Sequence, residues 1–468
     1  MQNSFGRFAS IVAALAVFGA VSADGREPVD TQRLVLDAMP GFSVLKAAEK
    51  QQAWMRVGLK GFHLQHTTER APINVAIVLD RSGSMQGEKI QRAREAAIGA
   101  LDLLRADDIV SIIAYDSDVN VLVPATKLTD KENVANIIRA IQPGGNTALF
   151  GGVSKGAAEV RKFMDDKHVN RVILLSDGLA NVGPSSPGEL GDLGASMKKE
   201  NISVSTLGLG LGYNEDLMVQ LAGKSGGNHQ FIENASELAS IFRGEFDDVL
   251  SVVAQTVDVK IEIPEGIRPV RVLGNSADIN GQSVISRLSQ VYSDQQKHIV
   301  IEVEIPADLA HAAVDSSGAE LAKATQLATV SVTYMNMVSE QSETLTGEVS
   351  VSFSSSDAKV KASVNNSVMA DVVALVASEQ NKMATDLLDL GDLKACRESL
   401  EKNALFLNAN AEAYKSPALK ELAESNLDQL KRLKDVTSND APAAQGARKG
   451  MRDYQNKSDS QQILSPKR

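Results

Sequence analysis

Between residues 73 and 253, short unbroken apolar runs take turns with amphipathic segments, and that alternation narrows the fold more than any other feature. Ile73–Leu79 reads as a buried strand, and Ile109–Ala114, Val172–Leu175 and Val204–Leu209 repeat the pattern. Glu88–Leu104 lies between the first two and sets Ile90, Ala97, Leu101 and Leu104 on one helical face. Lys131–Ile141, Leu149–Phe163, Leu190–Lys199 and Glu215–Leu221 are further predicted helices, and Glu237–Val253 closes the series after a last strand at Gln230–Ile232. Val119–Val123 folds back as a hairpin partner after the turn Asp116-Ser117-Asp118. Strands apolar on both faces and separated by helices specify a mostly parallel sheet covered on both sides. In such α/β sheets, ligands bind beyond the carboxyl ends of the strands.

The flanking regions have other periods. Met55–Leu64 alternates, with Met55, Val57 and Leu59 on one side and Arg56, Gly58 and Lys60 on the other, which predicts a half-buried strand. Val257–Ile263, Ile299–Ile305, Thr329–Tyr334 and Glu348–Phe353 also alternate with period two, the signature of an antiparallel β-sandwich. The strand near Met55 joins that sandwich if the α/β unit is an insertion within it. Val368–Leu388, Leu393–Leu407 and Pro417–Lys434 carry apolar residues at helical spacing, with Gly391-Asp392 as a turn. The expected organisation is a 24–70 segment (one loosely docked helix over 24–50, then the strand), an α/β domain over 71–253, a β-sandwich over 254–356, helices over 367–435 and a disordered polar tail over 436–468.

Met1–Ala23 reads as a secretory signal: Arg7 supplies the positive end, Ile11–Val17 the apolar core and Val21-Ser22-Ala23 the small-residue cleavage site. Its apolar run falls short of the ~20 residues a spanning helix needs. No other run of that length occurs, so no stable transmembrane segment is expected. The chain is expected to be exported, either periplasmic or secreted. Its single cysteine, Cys396, excludes an internal disulfide framework and cysteine-rich metal sites. The net charge of −11 and 4% aromatic content argue against nucleic acid as a partner, since phosphate binding needs a basic face and base stacking needs rings.

The chemistry concentrates in three turns at strand ends. Leu79-Asp80-Arg81-Ser82-Gly83-Ser84-Met85 delivers three hard oxygen side chains, Asp80, Ser82 and Ser84, into one loop ahead of a helix. Gly144-Gly145-Asn146-Thr147 places a hydroxyl before another helix, and Leu174-Leu175-Ser176-Asp177-Gly178 ends a central strand in a carboxylate. Oxygen side chains are the ligand class of hard cations. A D-x-S-x-S loop alone also serves merely to cap a helix.

With Thr147 and Asp177 added, the arrangement resembles the von Willebrand factor A domain with its metal-ion-dependent adhesion site, and is similar to bacterial exported relatives of inter-α-trypsin inhibitor heavy chains. The resemblance covers roughly 71–245. It is supported by Asp107-Asp108 before Ile109–Tyr115 and by Leu207-Gly208-Leu209-Gly210 before Asn214-Glu215-Asp216-Leu217. It implies a Rossmann-like α/β fold and a divalent ion (Mg²⁺, or Mn²⁺ or Ca²⁺) on Asp80, Ser82, Ser84, Thr147 and Asp177. It also implies a protein partner offering Asp or Glu to that ion, and a role in adhesion rather than catalysis. The alternative is an accessory subunit of an envelope complex in which the metal only orders the domain.

Other signals carry less. Gly152-Val153-Ser154-Lys155-Gly156 matches G-x-S-x-G but lacks the preceding strand of a nucleophile elbow. Gly208-x-Gly210-x-Gly212 breaks dinucleotide spacing at Tyr213, and Asp116-x-Asp118-x-Asn120 lacks the glycine of a calcium loop. The six histidines form no zinc motif, and Cys396 reads as a small core residue.

Overall fold

The computed structural model describes residues 32–64, 70–274, 277–311, 324–434, 436, 442–459 and 461. The leader expected at Met1–Ala23 lies outside the described residues. Three strands come first among the described residues: β1 (Val35–Pro40), β2 (Val44–Lys46) and β3 (Gln51–Lys60). The described part of the segment expected as a docked helix, residues 32–50, is therefore extended. Its apolar residues pair across a sheet, with Val35 opposite Lys60 and Pro40 opposite Met55.

The α/β unit follows: β4 (Ile73–Asp80), α1 (Glu88–Leu103), β5 (Ile109–Tyr115), β6 (Val119–Lys127), α2 (Lys131–Arg139), α3 (Leu149–Val160), β7 (Val169–Ser176), α4 (Pro187–Lys199), β8 (Ser203–Leu209), α5 (Glu215–Ser225), β9 (His229–Ile232) and α6 (Leu238–Leu250). Its sheet runs β6-β5-β4-β7-β8-β9, parallel except for β6. Every residue of β4, β5, β7 and β8 is buried, because helices cover both faces. At about 1.5–3 kcal/mol for each fully buried Val, Leu or Ile, these strands are a principal source of stability. From β4 the chain returns as β5 on one side, while β7 lies on the other. The turns after β4 and β7 therefore open a crevice between them.

The helix expected to reach Val253 stops at Leu250, and Val252 already starts β10 (Val252–Glu262). There follow β11 (Arg268–Leu273), β12 (Ala277–Asn280), β13 (Ser283–Tyr292), β14 (Gln296–Ile305), a short α7 (Ala307–His311), β15 (Thr325–Asn336) and β16 (Gln341–Ser354). They form two sheets, β1-β3-β14-β11 and β12-β13-β10-β15-β16-β2. β3 pairs with β14 over ten residues, so strands from before and after the α/β unit share one sandwich and that unit is inserted within it. Met55, Val57, Val259, Ile261, Ile301 and Val332 meet in its core.

The α/β sheet and the sandwich are joined by a fully buried arginine. Arg171 of β7 donates to Ser205 Oγ (3.0 Å), Gln290 Oε1 (2.7 Å) and the Tyr292 hydroxyl (3.2 Å), with Glu245 of α6 at 3.7 Å.

After α8 (Asp357–Ala362), three long helices follow: α9 (Asn366–Asp389), α10 (Leu393–Ala413) and α11 (Pro417–Leu433). Asn365, Asp392 and Ser416 cap them by accepting backbone N–H bonds. Arg56 of β3 bonds Asp371 (2.5 Å) and Ser367 (2.9 Å) and so fastens α9 to the sandwich. No helix among the described residues is long and apolar enough to cross a membrane.

The tail expected to be disordered from Val436 instead contains α12 (Pro442–Asp459). Its apolar stripe, Ala444, Ala447 and Met451, is small and interrupted by glycine, but it is buried beside Leu388 and Leu433. Its charges are matched in space. Lys449 Nζ reaches Glu215 and the Tyr213 carbonyl, both at 2.6 Å, Arg452 reaches Asp216 at 2.7 Å, and Asp453 accepts the Phe231 amide at 3.0 Å.

Beneath this clasp lies His229, hydrogen-bonded to Thr206 Oγ1 at 2.8 Å. Burial, then the nearby Lys457 and Lys449 ammoniums, pushes its pKa down to about 3. The unfolded chain therefore binds a proton below about pH 6.5 that the folded chain refuses, so stability falls with acidification. We expect the wild type to lose about 1.4 kcal/mol per pH unit, relative to His229→Phe, between pH 6 and 4. Urea titrations at each pH measure it; parallel pH profiles would refute it.

Candidate metal centre

β4 ends on Asp80, and the chain then makes a single tight turn through Gly83–Met85. The Ser82 amide donates to Asp80 Oδ1 at 2.8 Å, which curls the loop back over the strand end. Gly83 donates to the Gly145 carbonyl (3.0 Å) and Gly144 to the Arg81 carbonyl (2.7 Å), tying the first turn to the second. The second is tied to the third in the same way: the Thr147 amide donates to Asn181 Oδ1 (2.8 Å), and the Asn181 amide to the Thr147 carbonyl (3.1 Å). Gly145 sits at φ +75°, where a Cβ would press within 3.1 Å of Asp116.

The five residues singled out from sequence come together in two tiers. Asp80 is the inner one. Its Oδ2 accepts from Ser176 Oγ at 2.6 Å, with the Tyr115 hydroxyl at 3.4 Å, and the side chain has no solvent exposure. Burial raises its pKa above the ordinary carboxylate value; bonds from Ser176 and Ser82 oppose the shift, and repulsion from Asp177 adds to it. The outer tier is Ser82, Ser84, Thr147 and Asp177. Ser84 Oγ donates to Asp177 Oδ1 at 2.6 Å and lies 3.0 Å from Ser82 Oγ. A Cβ placed on Gly178 would stand 3.1 Å from Thr147 Oγ1, 3.2 Å from Ser84 Oγ and 3.7 Å from Ser82 Oγ. Three hydroxyls thus converge on a spot that only glycine leaves clear. Ser84 is exposed, and Leu179, which follows Gly178 in the third turn, has 58% of its surface open.

These observations fit a hard cation. Three of the five side chains are neutral oxygen donors, and among the described residues no three His, Cys, Asp or Glu gather at one point. A positive group already sits on the outer carboxylate: Lys89 Nζ of α1 bonds Asp177 Oδ2. Sequence reasoning missed Lys89, Ser176, Tyr115 and Asn181. Ser176 alone carried a local signal, standing directly before Asp177; the others arrive from separate elements.

The sequence model of the von Willebrand factor type A domain matches residues 74–244. An uncharacterized Synechocystis protein is 29% identical over 244 residues, spanning 50% of this chain and 57% of that relative. Mouse inter-alpha-trypsin inhibitor heavy chain H3 is 30% identical over 203 residues, 42% of this chain and 22% of the relative. The chain therefore spans little more than half of one curated relative and less than a quarter of the other. Among solved structures, a von Willebrand factor type A protein from Catenulispora acidiphila superposes with a TM-score of 0.67 at 16% identity, covering 89% of this chain and 94% of that one. The ArnB paralog VWA2 from Sulfolobus acidocaldarius gives 0.57 at 18% identity, covering 89% and 96%. These two likenesses extend the shared fold beyond the α/β domain. The loop geometry, the strand order and the match over 74–244 together identify that segment of the chain as a von Willebrand factor type A domain.

Proposed function

We propose that this is an exported, non-enzymatic binding protein. Asp80, Ser82, Ser84, Thr147 and Asp177 hold one hard divalent cation, Mg²⁺ or a substitute such as Mn²⁺ or Ca²⁺, and through it a carboxylate of a protein partner. The observation that carries this reading is the convergence of three hydroxyls and Asp177 beyond the carboxyl ends of β4 and β7. Domains of this family are commonly metal-dependent protein-interaction modules. A bound hard cation supplies an electrophilic position for an Asp or Glu oxygen. Ser82, Ser84 and Thr147 contribute dipoles rather than charge, so only Asp80 and Asp177 offset the ion's charge. Asp177 provides the outer negative charge, and Asp80 fixes the loop that carries both serines. Leu179 gives the partner an apolar contact at the rim.

A pull-down from the envelope fraction tests this. A partner should be retained in magnesium and lost with chelator or with Asp177→Ala. Retention that survives both treatments overturns the reading. Chelator that lowers the melting temperature but leaves retention intact points to an ion that only orders the domain.

Lys89 competes for the same carboxylate. Its side chain is 36% exposed, so solvent screens part of its charge. Lys89→Met should tighten Mn²⁺ binding roughly fivefold, about 1 kcal/mol, as read by calorimetry. Weaker binding would show that the ammonium supports the site instead.

A further inference from the structure

Away from the metal turns, α4 and α5, the sandwich strands β11, β13 and β14, and helices α9 and α12 enclose a continuous cleft. It consists of cavities of about 360 and 670 Å³ that share Lys198, Lys224, Arg287 and Ser289 in their walls. That is the size range of sites for small ligands. The larger cavity is also lined by Lys297, Ser378 and Asn456.

Two independent features of this lining agree. The first is an excess of positive charge, lysines and arginines outnumbering the carboxylates of Asp258, Asp278, Glu379 and Asp386 in the walls. Lys198 Nζ reaches only the Arg287 carbonyl, at 3.2 Å, and Arg287 faces Asp258 at 3.4 Å near solvent. Among the described residues, the Lys224 and Lys297 ammoniums have no hydrogen-bonded or ion-paired partner. Arg452 is already matched by Asp216 at 2.7 Å, and Glu379 is taken by Arg271 at 3.2 Å. Burial, then Lys198 and Arg171, pushes the Lys297 pKa down to about 8. The second feature is unmet hydrogen bonding. Ser289 Oγ, Ser378 Oγ and Asn456 Nδ2 are buried without a partner, and Ser378 and Asn456 are each only 6% exposed. All three can donate. A buried polar atom left unpaired costs about 1–3 kcal/mol, so three donors around one cavity need an acceptor.

We infer that this cleft binds a small, multiply charged phosphate-bearing anion, held by Lys198, Lys224 and Lys297 and by the donors Ser289, Ser378 and Asn456. An anion there matches both deficits, since phosphate oxygens accept hydrogen bonds and carry charge, and lysine serves phosphate as a point charge. It also bridges the α/β domain, the sandwich and the C-terminal helices, so binding stabilises their junction. The inference does not depend on the metal centre.

Inorganic pyrophosphate is the probe, titrated calorimetrically into the full chain with EDTA present so that no divalent ion bridges it; inorganic phosphate is the lower-charge comparison. Pyrophosphate should bind at least tenfold tighter than phosphate and raise the melting temperature. Lys297→Gln should weaken it at least tenfold and Lys224→Gln at least threefold. Lys394→Gln, on the far helix α10, and Asp177→Asn should leave it unchanged. Lys224 is exposed, so its variant reports even if Lys297→Gln fails to fold. No binding at millimolar pyrophosphate, or equal binding by wild type, Lys224→Gln and Lys297→Gln, overturns the site.

Discussion

Asp177→Asn should weaken Mn²⁺ binding at least a hundredfold while leaving the metal-free protein as stable as the wild type, or more so. Asp177 is fully buried, accepts from Ser84 and pairs with Lys89. Asn keeps the shape and the Ser84 bond but removes the charge. In the metal-free protein that relieves the repulsion Asp177 exerts on Asp80, while the half-exposed Lys89 turns its ammonium to water. For a cation, loss of one of two carboxylates in a water-poor site is severe; a hundredfold is about 2.7 kcal/mol. Calorimetric Mn²⁺ titration and urea unfolding in EDTA report the two halves separately. Binding within threefold of wild type would place the cation elsewhere. A large loss of metal-free stability would make Asp177 a structural residue first.

The second large effect is expected at Arg171, far from the turns. Arg171→Met should destabilise the protein by about 3–5 kcal/mol, because removing one member of a buried charge pair leaves the other uncompensated. Glu245 has no solvent exposure, and its remaining partners are Ser205 Oγ and Asn228 Nδ2. The Gln290 and Tyr292 groups on the sandwich side lose their donor as well. The double variant Arg171→Met/Glu245→Met should recover most of the loss, since apolar replacement of a whole buried pair is often neutral. Urea unfolding of the single and double variants decides it; equal loss in both would assign the effect to packing alone.

Much of this molecule is local in origin and therefore legible. β4, β5, β7 and β8 announce themselves because burial on both faces demands unbroken apolar runs. Helices α9, α10 and α11 follow from spacing and from caps at Asn365, Asp392 and Ser416. The five site residues stand out because three short turns each concentrate oxygen side chains at a strand end. Elements whose partners are remote carry no such local signal. β1 and β2 lack a local period, and they are strands because β3 and β16 lie beside them. α12 looks like a solvated tail because its ion-pair partners on the rest of the fold are remote, Glu215 and Asp216 more than 200 positions away and Asp389 63 positions from Arg452. The Asn381–Asn403–Asn426 ladder, with bonds of 2.8 and 2.9 Å, is buried although nothing in each helix alone distinguishes those asparagines from surface ones.

The amino-acid order by itself determined the strand and helix alphabet of the α/β domain and the residue types at its three turns, since backbone propensity and hydrophobic period act over a few neighbours. Only the tertiary structure decided that these turns touch, that Lys89 lies on Asp177, and that lysines from α4, α5 and β14 face one cleft. Charge acts through space, so its consequences appear only when distant segments are brought within a few ångströms.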